Sequence, residues 1–164
     1  MESAMPDAEV RAAEGERVLQ ERVGTHLKAA EQALIAAKSR ALKPFGLTVP
    51  QYIALLALHY LPGQSAAQLA RAALVSPQTM ATILGNLESK DLIVRQNSPL
   101  HVRVLVTTLS PAGEELVLRA DEAVRHVEDS LAQAFDGKDR AAFVVSLDRA
   151  TTALRAIQAE FDKE

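Results

Sequence analysis

The chain has 164 residues, 48% of them hydrophobic and 24% charged, with 18 Lys and Arg against 21 Asp and Glu for a formal net charge of −3. This is the composition of a globular protein, and it excludes a polycation, a collagenous chain or a linker-rich one. Cysteine is absent, which excludes disulfide stapling, a Cys-based zinc site, a Cys nucleophile and a thiol redox switch.

Residues 1–12, with Pro6 among Ala and Glu, read as a frayed or disordered arm. Residues 1–18 are polar and acidic and lack the apolar core of a signal peptide. No apolar run approaches the roughly 20 residues that span a bilayer. The expected location is the cytoplasm, with no membrane partner.

From about Glu14 to Lys43 the chain is rich in Ala, Leu, Glu, Lys and Arg and has no proline, so one long helix is predicted. Its apolar stripe runs Val23, Leu27, Ala30, Leu34, Ala37, Ala41, in alternating steps of four and three, the period of a coiled-coil seam. Pro44 and Gly46 end it.

The middle of the chain is heavily punctuated. Thr48-Val49-Pro50-Gln51 and Ser65-Ala66-Ala67-Gln68 each read as a capping box, and Ser76-Pro77 as a third helix start. They predict helices from Pro50 to about Leu61, Ala66 to about Ala73, and Pro77 to about Lys90. The short gap between the last two is the tight connection of a helix-turn-helix. Leu92–Arg95 and Val102–Leu109 read as two strands around a polar turn. A helix-turn-helix followed by a β-hairpin is a winged helix.

Ser110-Pro111 starts the last helical third. Leu116, Ala120, Ala123, Val127, Leu131 and Ala134 form one stripe; Phe143, Leu147, Ala150, Leu154, Ile157 and Phe161 form a second, with Asp136-Gly137 between them. Two readings fit these terminal seams: packing within a monomeric bundle, or a shared dimer interface. The second is preferred, because the middle region already forms its own unit. The predicted organisation is an arm (1–12), an N-terminal dimerisation helix (13–45), a winged helix-turn-helix (46–111) and C-terminal dimerisation helices (112–164). The fold class is mainly α with a small β-hairpin wing.

Charge divides along the same lines. Residues 1–45, 46–111 and 112–164 carry net charges of 0, +2 and −5, so the middle segment is the one suited to meeting a polyanion. The four histidines, at 26, 59, 101 and 126, show no metal spacing, and no Gly-rich phosphate loop, zinc-protease motif or nucleophile elbow is present. No enzyme, metal or cofactor is expected.

Several stretches in order carry a family resemblance: Phe45-Gly46-Leu47-Thr48, Gln68-Leu69-Ala70, Val75-Ser76-Pro77-Gln78-Thr79-Met80, Leu87-Glu88-Ser89-Lys90-Asp91-Leu92-Ile93, then Arg103 and Leu109-Ser110-Pro111-Ala112-Gly113. With these spacings, residues 23–162 resemble the MarR family of bacterial transcription regulators. The resemblance implies a triangular homodimer joined through its terminal helices, a recognition helix in the major groove and a wing at the minor groove. It implies a repressor of a nearby operon, bound to a pseudo-palindromic operator in double-stranded DNA, and a small aromatic or phenolic effector held between the two lobes. The alternative is a winged-helix module for protein–protein contact, without specific DNA binding. Where the family often has Arg, this chain has Thr82 and Asn86; where it often has Asp, Ser98 and His101; and where it often has Gly, Asp91.

On this frame the helix from Pro77 to Lys90 turns Met80, Ile83, Leu84 and Leu87 inward and Gln78, Ala81, Thr82, Gly85 and Asn86 outward. Gln and Asn pair with adenine edges, and Thr and Ala methyls meet thymine methyls, so an AT-leaning site is expected. Ser76 sits where a helix N-terminus can hold a phosphate, Ser65 and Gln68 are similarly placed at the preceding helix, and Thr79 is a further candidate DNA contact. Arg103, with His101 beside it, is the candidate for a narrow minor groove, and Arg95 for a phosphate. The plain alternatives are capping and a solvated surface. His26, Tyr52 and His59 are the candidate effector-binding residues, a ring, a hydroxyl and imidazoles suited to a phenol or carboxylate; the plain alternative is packing.

Overall fold

Side-chain caps set the helix starts in the middle of the chain. The Thr48 hydroxyl accepts the Gln51 N–H, and the Gln51 amide oxygen accepts the Thr48 N–H at 2.9 Å. Ser65 and Gln68 repeat the arrangement. The Ser76 hydroxyl accepts the Thr79 N–H at 3.1 Å, with Pro77 in the first turn, where its missing N–H is not needed. Each cap satisfies backbone donors that the helix itself cannot.

The computed structural model describes residues 5–97 and 105–162. In chain order the elements are α1 (Met5–Gln20), α2 (Val23–Leu42), a 3-10 turn (Lys43–Phe45), α3 (Val49–Tyr60), α4 (Ala66–Ala72), α5 (Pro77–Ser89), β1 (Ile93–Asn97), β2 (Leu105–Leu109), α6 (Pro111–Gln133) and α7 (Gly137–Phe161). The architecture is mainly helical, with a small antiparallel hairpin. Among the described residues no single helix is long and apolar enough to cross a membrane.

Two expectations at the N-terminus need correction. The arm expected over residues 1–12 is helical from Met5 onward. Pro6 falls in its first turn, the one place where a helix tolerates proline. The single helix expected from Glu14 to Lys43 is two helices. Arg22 is extended (φ −80°, ψ 119°) between them, and the His26 ring nitrogen lies 2.6 Å from the last carbonyl of α1, that of Gln20. Gly24 and Thr25 weaken helix propensity here. The surrounding residues are exposed, so no tertiary packing overrides that weakness.

By its contacts the chain divides into two compact units, Met1–Asp121 and Glu122–Glu164. In the first, α3 packs on α2, α4, α5 and β2. Leu42, Leu55, Leu58, Leu69, Met80, Leu84, Leu87 and Val117 are fully buried there. The apolar face expected for α5, Met80, Ile83, Leu84 and Leu87, is buried in full. In the hairpin, Ile93 pairs with Leu109 and Arg95 with Thr107. The loop before α4 adds a further bridge, with Gly63 N–H donating to the Thr107 carbonyl and Thr107 N–H to that of Gln64. Gly63 has φ +81°, a conformation glycine adopts at little cost.

In the second unit Asp136 caps α7, accepting from the N–H groups of Lys138 and Asp139. Phe135 and Phe143 stack at 4.8 Å. No residue of α7 is buried. Its stripe is open, with Leu154 55% and Phe161 70% exposed.

The junction of α5, the hairpin and α6 is tight. Asp91 takes φ +55° where the resembled family often has Gly. The Ser110 hydroxyl donates to the Asp91 carbonyl at 2.6 Å and accepts the Gly113 N–H, and Ser110 N–H donates to the Leu92 carbonyl. A Cβ on Gly113 would lie 1.9 Å from the Leu92 carbonyl oxygen. Gly113→Ala must therefore push α6 from the β1 start. We expect a loss of at least about 1–3 kcal/mol, read as a lower urea midpoint with an unchanged slope.

Candidate nucleic-acid interface

With its apolar side in the core, α5 leaves Gln78, Thr79, Ala81, Thr82, Gly85 and Asn86 exposed in a helix that opens on a capped N-terminus. The side chains on that face are not equivalent. Thr79 shares a hydroxyl–hydroxyl bond of 2.8 Å with Ser76. Thr82 donates to the Gln78 carbonyl at 3.3 Å. The Asn86 side-chain oxygen accepts from the Gln51 amide of α3 at 3.1 Å. Gln78 makes no side-chain hydrogen bond among the described residues. No Lys or Arg lies within α5; Lys90 follows it as the C-cap.

The preceding helix has less to offer a ligand through its cap. Ser65 and Gln68 are bonded to each other, hydroxyl to amide oxygen at 2.8 Å. Arg95, the candidate for a phosphate, is half-buried. Strand alternation puts it on the same side as buried Ile93 and opposite buried Thr107. Its guanidinium reaches Glu88 of α5 at 3.8 Å. The buried Arg95 Nε has no hydrogen-bond partner among the described residues. His101 and Arg103, the wing-tip candidates, lie outside the described residues, as does Ser98.

Each of the three effector candidates has a hydrogen-bonding partner within the chain. The His26 ring meets the end of α1. Tyr52 is buried, and its hydroxyl donates to the Asp121 carboxylate at 2.6 Å. His59 pairs through Nδ1 with Glu114 at 2.6 Å. Two open surface cavities, of about 750 and 610 Å³, lie along α7 and at the α1–α2 break. None of the three residues lines either one.

Sequence reasoning missed the partners Asp121 and Glu114. A signal was available: Tyr52 and His59 are seven residues apart on α3, and Glu114 and Asp121 seven apart on α6, so antiparallel helices bring both pairs together. It also missed that Gln51 serves twice, as capping residue and as donor to Asn86. Among the described residues no group of three or more His, Asp or Glu is placed to hold a metal ion.

The MarR family model matches residues 45–103. The HTH-type transcriptional repressor Rv2887 of Mycobacterium tuberculosis is 44% identical over 87 residues, 53% of this chain and 63% of that protein. The match thus spans less than two thirds of that relative's length. The crystal structure of Rv2887 with p-aminosalicylic acid has 33% identity and a TM-score of 0.62, covering 79% of this chain and 98% of that one. The repressor CouR bound to a 23-mer DNA duplex has 27% identity and a TM-score of 0.73, covering 81% and 94%.

The buried Tyr52–Asp121 bond gives a direct stability test. Tyr52→Phe removes one donor to a buried carboxylate and keeps the ring. We expect a loss of about 1.5–3 kcal/mol, measured by denaturant unfolding. In an Asp121→Asn background the same change should cost much less, as a double-mutant cycle would show.

Proposed function

The chain belongs to the MarR family, and from that premise we propose that it acts as a homodimeric, sequence-specific DNA-binding transcription regulator, repressing a nearby operon and released by a small aromatic or phenolic effector. The observation that carries the reading is α5 itself. One face is locked into the core, and the other offers amide, hydroxyl and methyl groups to the outside beside a hairpin. An α-helix of this kind fits the major groove, and amide and methyl groups are what it needs to read A·T pairs. Segment 46–111 is the DNA-binding part. Ser65, Gln68, Ser76, Gln78, Thr79, Thr82, Asn86, Arg95, His101 and Arg103 are its proposed contact residues, with Ser76 also serving as the cap.

The homodimer rests on exposed apolar surface. Phe143, Leu154, Ile157 and Phe161 of α7 lie 38–70% exposed along one stripe, and leaving such a stripe in water forgoes about 25 cal/mol per Å². A second copy covers it and sets two recognition helices on a pseudo-palindromic site. The effector reading rests on likeness to Rv2887, whose structure holds p-aminosalicylic acid; His26, Tyr52 and His59 are the proposed contacts. With no cysteine in the chain, release by a reversible ligand is favoured over thiol oxidation.

A second reading, a winged-helix module for protein–protein contact, draws on the absence of Lys and Arg from α5. Sequence preference, measured across a salt series, separates the two. A duplex carrying the operator should bind with log K falling linearly as log salt rises. Binding to DNA that is weak and sequence-indifferent would overturn the proposal in favour of the second reading. Sedimentation at micromolar concentration should give twice the mass of one chain. Leu154→Asp puts a carboxylate on the stripe, where burial without a partner costs several kcal/mol, roughly. We expect dimer affinity and operator affinity to fall together, by at least tenfold each.

A further inference from the structure

Six polar side chains lie exposed on α5; at its C-terminal end Glu88 pairs with Arg95 and the Ser89 hydroxyl donates to the Asn86 carbonyl, which leaves Gln78, Thr79, Thr82 and Asn86 on the outward face. Their hydrogen bonds sort them. The hydroxyls of Thr79 and Thr82 are directed to Ser76 and to the Gln78 carbonyl. The Asn86 side-chain oxygen is held by Gln51, a residue itself fixed by its capping bond to Thr48. One of the two lone pairs of the Asn86 oxygen is spent there, which holds its amide in the orientation that Gln51 sets, whereas a bidentate contact to adenine needs both amide groups turned to the base. Gln78 has both amide groups unengaged among the described residues.

Position selects the same residue. Gln78 is the second residue of α5, and recognition helices contact base edges through their N-terminal residues. Asn86 lies eight residues further along, about 12 Å up the helix axis. Ala81, one turn beyond Gln78 and exposed, offers a methyl group and no polar atom of its side chain. Bidentate Arg or Lys readout of guanine is unavailable from this helix, since Pro77–Ser89 holds neither residue.

We infer that Gln78 is the specificity-determining residue of α5, and that the half-site it faces carries an adenine, read through N6–H and N7, with a neighbouring thymine methyl against Ala81. Asn86, one of the proposed contacts, also positions the helix by tying α5 to α3. The inference rests on the DNA-binding reading above.

The test is a selection from random-sequence duplex with the full-length chain, followed by fluorescence anisotropy on the enriched duplex. Enriched half-sites should share an adenine. Replacing it with 7-deaza-adenine keeps base pairing and removes N7, and should weaken binding roughly 5- to 150-fold. Gln78→Ala should lose a similar factor on the unmodified duplex and lose nothing further on the modified one. This substitution lies on an exposed helix face and should leave thermal unfolding unchanged. Asn86→Ala should keep full sensitivity to 7-deaza-adenine. If Gln78→Ala stays as sensitive to the modification as the parent chain, or if the enriched half-sites share only G·C pairs, the inference is overturned. If selection enriches no sequence at all, the DNA-binding reading fails, and the inference with it.

Discussion

The Ser110 hydroxyl stands where the end of α5, the start of β1, the end of β2 and the start of α6 meet. It donates to the Asp91 carbonyl and accepts from Gly113, while its own N–H takes the Leu92 carbonyl. One side chain thus closes the turn after the candidate recognition helix and caps the next long helix. The contact leaves no room for a Cβ on Gly113, so backbone lies against backbone. The left-handed turn at Asp91 is part of the same constraint, since a chain leaving α5 by any other route would not bring the Leu92 carbonyl to α6. The direction in which α5 presents Gln78 is therefore fixed by its own cap at Ser76, by its buried apolar face and by this latch.

Much of this was legible in the residues. The capping boxes at Thr48 and Ser65 and the Ser76-Pro77 start depend on bonds three residues apart, which local sequence determines. The inward face of α5 followed from helical period alone. The side of the hairpin on which Arg95 lies was also within reach, because strand alternation puts it with Ile93. Long-range pairing was harder to read: the matched seven-residue spacings of Tyr52/His59 and Glu114/Asp121 become a signal only once α3 and α6 are set antiparallel, and nothing near Asn86 names Gln51. The break at Arg22 was missed for another reason. A high-propensity run implies a continuous helix, and only the exposure of both flanks shows that propensity had no packing to reinforce it.

The outward face of α5 is thinner in function than its composition suggests. Counting residue types gives two amides and two hydroxyls suited to bases, whereas counting hydrogen bonds leaves one amide with both groups unengaged among the described residues. The rest hold the helix in place. A polar group already satisfied within a protein must give up that bond to make a new one, so its net gain from a base edge is smaller. Rigidity and readout are divided among neighbouring side chains, and a substitution at Thr79 or Asn86 acts on the placement of the helix as well as on any contact of its own.

The middle helix α3 holds both sides of the arrangement. Gln51 meets Asn86 of α5, and the next residue, Tyr52, meets Asp121 of α6; two turns on, His59 meets Glu114. A helix bonded to α5 at one point and to α6 at two cannot rotate without breaking one of these contacts, because the bonds leave it in different directions. Two of the three residues proposed for effector contact, Tyr52 and His59, are thus already engaged in holding α3 to α6. A ligand that takes the Tyr52 hydroxyl or the His59 ring must replace a bond to a carboxylate, and its differential affinity for the two arrangements must exceed that cost. A ligand bound there would act on the same helix that steadies Asn86.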